Sequence, residues 1–132
     1  MKLKPKTNSN ISFVYTDIKG VEIMNNYIVP IILGLFCVVL GVINYKGNIS
    51  SVHWYHRQRI TEEDIVPFGK MVGTGTAVIG LSISAFGVFQ YLAEKFSNDL
   101  FSTVGAVIVI IGAISGIIIS LYAIIKYNKG IF

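Results

Sequence analysis

Three long stretches of this chain hold no charged side chain: 27–45, 71–93 and 100–125. All seven acidic residues and all eleven basic ones fall outside them. Proton relays and ion-coupled carriers place ionisable groups inside their membrane spans, so the absence argues against charge-coupled pumping by this chain alone. Only 14% of the residues are charged and 53% are hydrophobic, whereas soluble domains carry roughly 25% charged residues. A water-soluble core is therefore the poorer reading. The single cysteine, Cys37, excludes an internal disulfide. It lies within an apolar run and reads as a small packed hydrophobe. The formal net charge of +4 comes from residues flanking the runs. No basic face interleaved with aromatics is present on a soluble fold, so a nucleic-acid partner is not expected.

Each uncharged run is long enough for a membrane-spanning helix, which needs about 20 residues to cross roughly 30 Å of hydrocarbon. The spans are expected at about 27–45, 71–93 and 100–127. Tyr27 and Tyr45 bracket the first, where aromatic rings favour headgroup depth. Small residues recur at helical spacing in all three. In the second, Gly73, Ala77, Gly80, Ser84 and Gly87 follow steps of four, three, four and three. The first has Gly34, Cys37 and Gly41; the third has the ladder Gly112, Gly116 and Ser120, with Ala106, Ala113 and Ser120 recurring every seven residues. In lipid, apolar side chains gain little by leaving their surroundings, and helices associate through close packing that small residues permit. These seams are the expected helix-packing sites.

The polar segment 46–70 joins the first two spans and holds both histidines, both arginines and the only tryptophan. Lys46-Gly47-Asn48 reads as a helix stop. A short interfacial helix is expected over 51–60, with Trp54 and Tyr55 at headgroup depth. His53, Trp54, Tyr55, His56, Arg57 and Arg59 are the candidate contacts to lipid headgroups or to a partner, since a guanidinium forks onto two phosphate oxygens. Thr61 and Asp64 have the spacing of a capping box, and Pro67 precedes the second span. The segment 94–99 is a tight turn, which makes the second and third spans antiparallel neighbours. Residues 1–26 read as a polar, partly mobile tail without a secretory apolar region.

Chemical motifs are weak. His53 and His56 lie three apart, and with Glu62, Glu63 or Asp64 folded back they have the donor types of a zinc site. Two histidines do not close such a site, and the carboxylate spacing matches no strong metal signature, so no metal or other cofactor is expected. Ser50 and Ser51 near His53 lack the orienting acid of a triad. The glycines at 69, 73 and 75 lack the Gly-Lys-Ser/Thr ending of a phosphate loop. The Asn-Ile-Ser triplets at Asn10 and Asn48 are read as chance matches to the glycosylation acceptor. No enzyme activity is expected.

The stretch from Gly47 through Gly80 resembles that of a group of small prokaryotic membrane proteins with no assigned activity. The residues that carry the resemblance are Gly47, His53, Tyr55, His56, Arg59, Glu63, Asp64, Phe68, Lys70, Gly73 and Gly80. It covers under a third of the chain. It implies an integral membrane protein and no particular activity.

The expected fold is thus an all-α membrane bundle: a tail over 1–26, then a domain over 27–132 with three transmembrane helices and a short interfacial helix between the first two. Lys46, Arg57, Arg59, Lys70, Lys126 and Lys129 share one side, against Lys19 and Lys95 close by on the other. The positive-inside rule puts the link and the C-terminal end in the cytoplasm. The expected role is that of an accessory, scaffold or immunity-type subunit of the cell membrane, packing with other subunits or with itself. A homo-oligomeric channel or transporter subunit is the alternative. If three spans are present, the protein stays with the membrane pellet after an alkaline wash. Release of folded protein without detergent would contradict all of this.

Overall fold

The computed structural model describes residues 9–52 and 58–127. They form an all-α membrane protein with three helices long and apolar enough to cross a bilayer, and no strand among the described residues. Helix α1 spans Ser9–Ile23 and α2 spans Val29–Tyr45, joined by a π-helical turn over Met24–Ile28. Helix α3 is Ile65–Phe96, preceded by a 3-10 turn over Glu62–Asp64. Helix α4 is Asp99–Tyr127.

The helix boundaries follow from local chemistry. Pro30 lies in the first turn of α2. It offers no N–H to the carbonyl four residues back and crowds it; the wider π turn just before it accommodates the mismatch without ending the helix. Helix α2 stops at Gly47, whose φ of +90° is left-handed territory where glycine carries no Cβ penalty. There the Gly47 N–H donates to the Asn44 carbonyl (2.9 Å) and the Asn48 N–H to the Ile43 carbonyl (3.3 Å), the paired bonds of a Schellman stop. Helix α3 ends the same way on Ser97, with φ 49°. Asn98 then starts α4 by accepting the Leu100 N–H on its side-chain oxygen at 3.0 Å, an N-cap bond.

Two expectations change. The region before the first span is helical from Ser9 rather than a loose tail. Ile11, Val14, Ile18 and Val21 repeat at steps of three and four, a helical pattern diluted by the polar residues between them. Thr61 does sit at the N-cap of the 3-10 turn, but it makes no reciprocal capping box. Its hydroxyl donates to the Asp64 carboxylate at 2.8 Å and reaches no backbone N–H. Half of the expected interfacial helix, residues 53–57, lies outside the described residues.

The three spanning helices form a layer one helix thick, with α3 in the middle. Its contacts with α2 and with α4 dominate the tertiary structure. On one side of α3 run Gly73, Ala77, Gly80, Ser84 and Gly87; on the other run Gly75 and Ser82. Gly73 and Gly75 are two residues apart, about 200° around a helix of 3.6 residues per turn. One segment thereby presents a slim face to each neighbour. The resulting approach is backbone to backbone. A Cβ on Gly80 would stand 2.6 Å from the Gly34 carbonyl oxygen and 2.7 Å from the Val38 nitrogen. One on Gly116 would stand 2.5 Å from the Gly75 carbonyl oxygen.

Gly80→Leu and Gly75→Leu should each cost about 3 kcal/mol, the upper part of the overpacking range, through separation of α3 from α2 and from α4 respectively. Gly20→Ala is the contrast: nothing lies within 4 Å of the added atom, so helix propensity alone favours alanine by up to about 1 kcal/mol. Thermal melts in detergent check all three.

Candidate functional site

Small residues of the three spans meet at contacts between helices. Gly34 of α2 meets Gly80 and Ser84; Gly41 meets Gly73 and Ala77; Gly87 meets the Tyr27 carbonyl and Ile31. On the other side Gly112 meets Ser82, Gly116 meets Gly75 and Ile79, and Ser120 lies against Gly75. These are contacts within one chain, so the seams are already occupied before any partner arrives. Hydroxyl groups along α3 are satisfied locally. Thr74 Oγ1 donates to the Lys70 carbonyl at 2.7 Å, Thr76 Oγ1 to the Val72 carbonyl at 2.9 Å, and Ser82 Oγ to the Ile79 carbonyl at 2.8 Å. Ser84 Oγ instead reaches across to the Ile31 carbonyl of α2 at 3.4 Å.

Sequence reading missed the second seam. Gly75 and Ser82 are seven apart, as are Gly105 and Gly112. That signal was present, but the denser series from Gly73 obscured it. On α4 the fully enclosed positions are Gly105, Gly116 and Ala123, not the alanines at 106 and 113.

A distinct cluster closes the link side of the layer. Phe68 is wholly buried and packs with Ile49, Val72 and Ala123. Its ring meets Tyr127 edge-on, with centroids 6.3 Å apart. Val52 and Ile60 also pack against this cluster, so the described flanks of the link are both pinned to α3 and α4. Gly69 is the enabling residue: a Cβ there would lie 2.5 Å from the Asn44 carbonyl oxygen and 3.2 Å from Ile49. Asn44, buried at the end of α2, accepts a hydrogen bond from the Ser51 hydroxyl at 2.6 Å. The buried amide is thus partnered, as burial requires, and it ties the start of the link to the helix end. Asn48 holds the turn by accepting from both the N–H and the hydroxyl of Ser50.

The candidate contact residues His53, Trp54, Tyr55, His56 and Arg57 lie outside the described residues. Arg59 is exposed on the link. Among the described residues no three potential metal ligands converge. Glu62 and Glu63 are exposed. The rim is instead built from lysines over aromatic rings. Lys70 Nζ sits 5.9 Å from the Tyr45 ring centroid, and Lys126 Nζ sits 5.1 Å from that of Tyr127. At the opposite end Lys95 Nζ lies 5.8 Å from the Tyr91 ring, and Tyr91 pairs with Tyr27 at 5.4 Å. Such pairs put a charged head at the water boundary and the aliphatic stem on apolar surface. Both rims therefore mark headgroup depth. Comparison with protein-family profiles, with curated proteins and with solved structures finds no match to this chain.

Phe68→Ala should destabilise the fold by about 3–5 kcal/mol, the usual cost of emptying a buried aromatic site. A detergent melt measures it, and proteolytic nicking of the link should rise in parallel.

Proposed function

We propose that this chain is a non-enzymatic multi-pass protein of the cell membrane that acts as an accessory, scaffold or immunity-type subunit. One observation carries the reading. Glycine contacts engage α3 on opposite sides within the chain, while the outward faces of α2 and α4 are apolar and exposed. Ile32 is 62% exposed and Ile111 is 60% exposed. Those faces, together with the exposed apolar stripe of α1, are what the chain offers to lipid and to a membrane partner. Among the described residues the layer is one helix thick and encloses no lumen by itself. No Asp, Glu, Lys, Arg or His sits in the three uncharged runs. Both features favour a binding subunit over a conduit. The resemblance to small prokaryotic membrane proteins supports the same placement. The link and the C-terminal end face the cytoplasm on this reading, because the basic residues gather there.

A photo-crosslinking residue placed at Leu35 on α2, and separately at Val14 on α1, should capture a second polypeptide in native membranes. Failure at both positions sinks the subunit reading. Ion or solute flux through liposomes holding the purified protein should match protein-free liposomes. Robust flux would move the assignment to a homo-oligomeric channel.

A further inference from the structure

A groove runs along the α2–α3 boundary on one broad face of the layer, with a volume of about 280 Å³. Gly41 and Gly73 are buried and meet backbone to backbone beneath it, and Ala77 adds only a methyl group. Val42, Val78 and Leu81 form its walls. Tyr45 and Thr74 stand at its link-side mouth, and both are tied to Lys70. The ammonium lies over the Tyr45 ring, and the Lys70 carbonyl accepts the Thr74 hydroxyl. Lys46 follows Tyr45 directly in the chain and is exposed. The Lys70 ammonium thus stands beside the mouth through Tyr45, and the walls are apolar.

From this we infer that the α2–α3 groove binds one anionic phospholipid, with an acyl chain between Val42, Val78 and Leu81 and the phosphate on Lys70. The inference rests on the membrane reading above and names the lipid class. Dimensions agree. Lys70 to Leu81 covers eleven residues, about 16 Å of helix rise, close to half of a roughly 30 Å hydrocarbon core. One leaflet's acyl chain fits that depth. Charge selects the headgroup. A lysine ammonium offers three donors to phosphate oxygens, and a zwitterionic lipid brings its own cation close to Lys70. The orientation agrees as well, because the basic rim faces the leaflet whose surface is negative when the link is cytoplasmic.

Native mass spectrometry of the full chain in detergent, titrated with phosphatidylglycerol and then phosphatidylcholine, tests this. One phosphatidylglycerol should be retained per chain, about fivefold more tightly than phosphatidylcholine, the weight of one lysine near an anionic surface. Lys70→Gln should bring the two lipids level. Thr74→Phe, at an exposed position in the groove mouth, should remove the retained lipid while leaving the melting temperature in place. Lys95→Gln, at the opposite rim, should change neither. Retention of the preference by Lys70→Gln, or of the lipid by a folded Thr74→Phe, overturns the groove assignment. A wild-type chain that needs detergent and melts cooperatively but keeps no phosphatidylglycerol overturns it too, and leaves the membrane reading standing. Folded protein obtained without detergent overturns both.

Discussion

Backbone meeting backbone across α3 is the constraint on which the arrangement depends. In lipid the helices gain little from burying apolar side chains, since the tails are equally apolar. What remains is van der Waals contact at short range, and it grows as the axes approach. Gly80 against Gly34 and Gly75 against Gly116 bring carbonyl oxygens to where a side chain would otherwise begin. Because the two contacts lie on opposite sides of one helix, α3 cannot move toward one neighbour without leaving the other. The layer is fixed by its central member.

The polar features are arranged around that constraint. Hydroxyls at Thr74, Thr76 and Ser82 bond to carbonyls of their own helix, so they add little bulk and leave no donor unpaired in hydrocarbon. Among the α3 hydroxyls, Ser84 instead bridges to α2. Lys70, Lys126 and Lys95 lie over aromatic rings at the two rims. On the link side, Phe68 and its neighbours form a compact plug beneath the polar segment. Gly47 and Gly69 allow the chain to fold tightly there.

Much of this was legible in the residues. The uncharged runs announce three spans, and the Gly73 series announces the face toward α2. The stop at Gly47 and the turn near Ser97 were likewise readable from local composition. The second face of α3 was not, because Gly75 and Ser82 make a sparse series beside a dense one. Helix α1 was missed because its apolar stripe is narrow and broken by Asp17, Lys19 and Glu22. The Phe68 plug joins residues far apart in the chain, Ile49 to Ala123, and periodicity within one helix carries no information about such a meeting.

The place of α3 in the middle of the layer has a consequence for biogenesis. Space order repeats synthesis order: α2 precedes α3, and α3 precedes α4. Among the described residues, each spanning helix after the first finds its large docking face on the one just laid down, and no earlier pair has to part to admit it. Assembly is then a sequence of adjacent hairpin closures with little loop entropy to overcome, directed by translation itself.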